Sequence, residues 1–97
     1  MALKIKWTPE ASESFENVIS YLRSEWSEKS AMEFGIRVSK ALNLLLAFPR
    51  AGKRDERGTE IRALLITKQT KLFYRLKGEY LVLLRFWDTR RDKQNYE

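Results

Sequence analysis

Apolar residues recur along this chain with two different periods, and the changes of period divide it into elements. Leu3, Ile5 and Trp7 alternate with Lys4 and Lys6, which is the spacing of a half-buried strand. From Ala11 the spacing becomes helical, and Ala11, Phe15, Val18, Ile19, Leu22 and Trp26 form one apolar stripe over about residues 9–25. Thr8 is placed to cap this helix, Pro9 suits its first position and Glu10 complements its dipole. Ser27 offers a second N-cap. Ala31, Phe34, Val38, Ala41, Leu42 and Leu45 then continue at helical spacing to Phe48, where Pro49 stops the helix. The short link around Trp26 and Ser27 predicts an antiparallel helical hairpin. Gly35 lies inside the second helix at a cost of about 1 kcal/mol relative to alanine, so close packing of the helices is expected there.

Residues 49–60 are polar and hold two glycines, a loop long enough to suggest binding rather than mere connection. Three strand-like runs follow, at residues 61–67, 70–76 and 80–87, with Lys77, Gly78 and Glu79 marking a tight hairpin between the last two. The expected fold is therefore α+β: an N-terminal strand, an antiparallel helical hairpin, then three antiparallel strands in a sheet covered on one face by the helices. With 97 residues the chain has room for one core, so residues 1–97 are expected to form a single domain.

Composition narrows the chemistry. There is no cysteine, which excludes disulfides and thiol nucleophiles, and no histidine, which removes the usual general base and zinc ligand. No carboxylates cluster at metal-binding spacing, so no metal and no cofactor is expected. No apolar run is long enough to span a bilayer and the N-terminus lacks the apolar block of a signal peptide, so a cytoplasmic protein without a membrane partner is expected. The net charge of +6 is unevenly placed. Residues 1–48 carry six basic and six acidic residues, whereas residues 49–97 carry thirteen and seven. A local excess of this kind favours an anionic partner, although solubility alone is an equally good reason for surface lysines.

The ordered set of pieces resembles the RelE/ParE toxins of type II toxin–antitoxin pairs. These pieces are Phe48, Pro49 and Arg50 at the helix stop, Ile61, Arg62, Ala63 and Leu64 in one strand, the run from Lys71 to Arg75 in the next, and Trp87, Asp88, Thr89, Arg90, Arg91 and Asp92 at the end. The resemblance spans essentially the whole chain in order and length, and each motif is short and degenerate. It implies a concave sheet face covered by a cognate antitoxin, growth inhibition and plasmid stabilization as cellular roles, and one of two activities. RelE-like members resemble ribosome-dependent mRNA endonucleases, or mRNA interferases, which act on mRNA in the ribosome. ParE-like members inhibit DNA gyrase without hydrolytic chemistry.

The expectation leans to the RelE-like endoribonuclease, metal-independent, with the ParE-like gyrase inhibitor as the alternative. By the resemblance, Arg62 matches the first basic position, Lys71 the third-strand position, Arg91 the basic residue after the last strand, and Tyr96 lies near the terminal tyrosine. These four form the candidate catalytic set. Lys53, Arg54, Arg85 and Arg90 are the candidate RNA or phosphate contacts. Leu64 falls where a lysine is usual, and Trp87 and Asp88 stand where several relatives carry a histidine-containing segment; both departures weigh against catalysis. Each basic residue also has a structural reading. Arg62 can cap a solvated sheet face, and Arg91 can pair with Asp88 or Asp92 for less than ~1 kcal/mol. Arg85 interrupts an apolar strand and must face a groove or find a carboxylate. A three-residue loop at residues 77–79 sets Lys71 and Arg85 on one face, whereas a two-residue turn separates them.

Overall fold

A computed structural model describes residues 2–55 and 58–90. The elements run β1 (Lys4–Trp7), α1 (Pro9–Glu25), α2 (Glu28–Ala47), β2 (Lys53–Arg54), β3 (Arg62–Thr67), β4 (Thr70–Lys77) and β5 (Tyr80–Asp88). They form one sheet in the order β1-β5-β4-β3-β2. β1 pairs in parallel with β5 and the other neighbours are antiparallel.

The helix boundaries follow from their caps. Thr8 Oγ1 accepts the Ala11 N–H at 3.1 Å with Pro9 at the first helical position, and Ser27 Oγ accepts the Ser30 N–H at 3.0 Å. The Phe48 N–H still reaches the Leu44 carbonyl, and Pro49, with no N–H to give, ends α2. Both helices lie on one face of the sheet. Their stripes, Ala11 and Ile19 from α1 and Phe34, Val38, Leu42 and Leu45 from α2, bury against Leu72, Tyr74, Leu81, Leu83 and Phe86. Rings of Trp7, Phe15, Phe34 and Phe86 pack together at centroid distances of 5.6–6.3 Å.

Three details differ from the sequence reading. The loop after α2 contains the two-residue edge strand β2, too short to leave any periodicity. Gly35 has no atom within 4 Å of where a Cβ would stand, so the expected close approach of the helices at Gly35 is absent. The third concerns register. The β4–β5 turn has two residues, Gly78 and Glu79, with Gly78 at φ +59°, the positive value a tight hairpin needs at its first turn position. A bulge then places Leu84 between the pairs Tyr74↔Leu83 and Phe73↔Arg85. A two-residue turn alone would have put Arg85 on the face opposite Lys71, and the extra residue returns it to the same face. The start of α1 satisfies the bulge: Thr8 Oγ1 donates to the Leu83 carbonyl at 2.8 Å and Ser14 Oγ accepts the Phe86 N–H at 2.9 Å.

Candidate functional site: two basic faces of one sheet

Residues paired across neighbouring strands project to the same face, so register sorts every strand side chain. Facing away from the helices are Lys4 and Lys6 of β1, Lys53 of β2, Lys71, Arg75 and Lys77 of β4, and Arg85 of β5. Phe73, Tyr80 and Trp87 stand among them, and no strand position on this face holds Asp or Glu. The cations lie against the rings: Lys71 Nζ is 5.2 Å from the Phe73 centroid, the Arg85 guanidinium 5.5 Å from Trp87, and Lys6 Nζ 5.9 Å from Tyr80. Arg85 also approaches Glu10 at 3.4 Å, which answers its need for a carboxylate partner. Arg75 Nε is buried and has no hydrogen-bond partner among the described residues.

Arg62 belongs to the other face. Its register partner is Tyr74, a fully buried residue turned towards the helices. Arg62 Nη1 donates to the Gly52 carbonyl at 2.9 Å and to the Arg50 carbonyl at 3.4 Å. The Tyr74 hydroxyl accepts the Gly52 N–H at 2.8 Å and donates to the Pro49 carbonyl at 2.8 Å. Burial raises the Tyr74 pKa, opposed by the Gly52 hydrogen bond and by the Arg62 charge. Together the two side chains pin residues 49–52 to the sheet. Arg54 is on the same face as Arg62, donating Nε to the Thr59 carbonyl at 3.3 Å and standing 3.8 Å from Glu60.

Arg90 follows β5 and forms a two-pronged pair with Asp88, at 3.0 Å through Nε and 2.9 Å through Nη2. It borders a cavity of about 480 Å³ between the hairpin and the sheet. Asp88 raises the Arg90 pKa, first by hydrogen bonding and then by charge. Arg91 and Tyr96 lie outside the described residues.

The structure therefore gathers Lys53, Lys71 and Arg85 on the open face, Arg54 and Arg62 on the helix-covered face, and Arg90 at the end of β5. Arg62 and Lys71 do not converge. The sequence reading passed over Lys4, Lys6, Arg75 and Lys77 on the open face, and Arg50 beside Arg62. The signal for Arg75 and Lys77 was present: Lys71, Phe73, Arg75 and Lys77 alternate with the core residues Leu72, Tyr74 and Leu76. Among the described residues no three His, Cys, Asp or Glu side chains are grouped to hold a metal ion, and no helix is long and apolar enough to cross a membrane.

The family profile described as the ParE toxin of the type II toxin–antitoxin system parDE matches residues 5–93. The chain belongs to the ParE toxin family. Among solved structures, this ParE family chain resembles a chromosomal ParDE system from P. aeruginosa, with a TM-score of 0.74 and 19% identity over 89% of this chain and 95% of that one. It also resembles a copper-bound mutant toxin from Helicobacter pylori, with a TM-score of 0.60 and 16% identity over 92% of this chain and 97% of that one. A YafQ mutant from E. coli gives a TM-score of 0.53 and 13% identity, covering 92% and 96%. No curated protein sequence matches this one. The protein is thus a toxin of a type II toxin–antitoxin system, with the RelE/ParE fold expected from the ordered motifs, and such a system supplies an antitoxin partner.

Proposed function

We propose that this toxin inhibits DNA gyrase without cutting RNA, and that its cognate antitoxin holds it inactive. The observation that supports this reading is the separation of Arg62 from Lys71. Cleavage of RNA without metal or histidine needs a base and a phosphate-stabilising cation at one phosphodiester. Here those two residues project from opposite faces of the sheet. Arg62 Nη1 is turned to two backbone carbonyls on the helix-covered side, away from Lys71. The Tyr74 phenol near it is hydrogen-bonded on both sides, and its raised pKa keeps it protonated. A protein target also suits the helical hairpin, where Trp26, Met32 and Ile36 are exposed.

One observation favours the ribosome-dependent nuclease instead. Lys71 and Arg85 share a face with Phe73 and Trp87, a mixture of cations and rings of the kind that binds single-stranded nucleic acid. Two measurements separate the readings. Purified toxin added to a gyrase supercoiling reaction is expected to block supercoiling, and its induction in cells without antitoxin to raise a DNA-damage response while mRNA stays intact. Discrete new mRNA 5′ ends within translated codons, abolished when translation is blocked beforehand, would move the assignment to the nuclease.

A further inference from the structure

Beyond the end of α2, residues from the following loop, β2, the β2–β3 loop, β3 and β4 line a recess of about 350 Å³: Arg50, Arg54, Glu60, Arg62 and Leu76. Among the described residues, three guanidinium groups share this concavity with one carboxylate. Arg54 and Arg62 are register partners across β2 and β3, so they leave the sheet on the same side. Arg50 is brought alongside because Tyr74 and Arg62 fasten residues 49–52 by their backbone.

The donors of this cluster are only partly used. Arg62 spends Nη1 on two carbonyls, and Arg54 spends Nε on the Thr59 carbonyl. The Arg54–Glu60 approach of 3.8 Å is too long for a hydrogen bond. The Arg50 guanidinium makes no hydrogen bond or ion pair among the described residues. Three like charges gathered at one recess repel one another, and among the described lining residues Glu60 offsets one of them.

We propose that this recess binds a phosphoryl group in the form of a phosphate monoester dianion. Charge and geometry select that ligand. One carboxylate is satisfied by one two-pronged arginine, whereas a phosphoryl dianion takes up the two remaining positive charges and offers three terminal oxygens to three planar donor forks. Inorganic phosphate and the terminal phosphate of a nucleotide or strand end share this chemistry. The site is on the opposite face from Lys71 and Arg85, and it does not rest on the gyrase reading, since it is measured on the purified toxin alone.

The test is a calorimetric titration of the full chain at low ionic strength with three probes: inorganic phosphate, a 5′-phosphorylated dinucleotide and the same dinucleotide without that phosphate. Saturable one-to-one binding of the first two, weakened by salt and absent for the third, is the expected result. Binding of phosphate alone would still support the site and name the free ion as its source. Arg50→Ala should weaken binding roughly tenfold, as loss of one charge-assisted contact does. Its melting temperature should not fall, because the Arg50 side chain makes no bond that holds the fold among the described residues and its removal relieves like-charge repulsion. Absence of saturable binding to any probe would overturn the proposal and leave the cluster with a purely structural role. Undiminished affinity in both Arg50→Ala and Arg54→Ala would overturn it too, as would Arg50-dependent binding of an acidic peptide without binding of phosphate.

Discussion

Tyr74 is completely buried, yet its hydroxyl makes two hydrogen bonds, accepting from the Gly52 N–H and donating to the Pro49 carbonyl. Tyr74→Phe would strand a buried N–H, so a loss of about 1–3 kcal/mol in urea-unfolding free energy is expected. The same residue gives stability a pH dependence. Burial holds the folded-state pKa above the ordinary 10.0, so the unfolded chain releases this proton first. The contribution is fully present below about pH 10 and fades as the pH rises through the folded-state pKa. The stability gap between wild type and Tyr74→Phe should therefore be flat near neutrality and narrow in the alkaline range. A gap that stays constant to the highest accessible pH would show that burial does not raise this pKa. Gly52 depends on the same contact. A Cβ there would stand 2.5 Å from the Tyr74 hydroxyl oxygen, so Gly52→Ala should cost about 1–3 kcal/mol, again read by urea unfolding.

The two helices were legible because each carries its own N-cap and apolar stripe, with Pro9 opening the first and Pro49 stopping the second. Gly35 was misread because a glycine inside a helix has two explanations, close packing or tolerance, and only the neighbouring backbone decides between them. Since nothing crowds that position, Gly35→Ala should raise the unfolding free energy by about 0.5–1 kcal/mol through helix propensity. A destabilised variant by thermal melting would mean that the glycine answers a contact after all. The β5 bulge was not legible at all. Its sequence, an apolar run through Leu84 and Arg85, is equally compatible with an unbroken strand. What holds the extra residue is Thr8 and Ser14, 75 and 72 residues away in sequence, at the start of α1. A register set by such distant partners leaves no local trace, and it decides on which face Arg85 and Trp87 appear.

The uneven charge along the chain becomes a polarity of the whole molecule. The helical half is neutral by count, while the sheet turns Lys4, Lys6, Lys53, Lys71, Arg75, Lys77 and Arg85 to the side away from the helices. The parity that separates Arg62 from Lys71 could have been read in advance: Arg62 keeps step with Leu64 and Ile66, and Lys71 alternates with Leu72 and Tyr74. Matching positions to family motifs concealed it, because motifs record order along the chain and not the side to which a strand residue points. A field spread over one face acts before contact, speeding the approach of an acidic partner segment and fading with salt. Lys6→Glu combined with Lys77→Glu should slow association with the cognate antitoxin by roughly tenfold or more at low salt, with the difference shrinking as salt rises. Stability should shift by no more than about 0.5 kcal/mol, since Lys77 is exposed and Lys6 touches only a ring on the surface. Stopped-flow association rates across ionic strength provide the measurement. Equal rates for the two proteins at low salt would mean that the antitoxin approaches by the helical hairpin and not by the charged face.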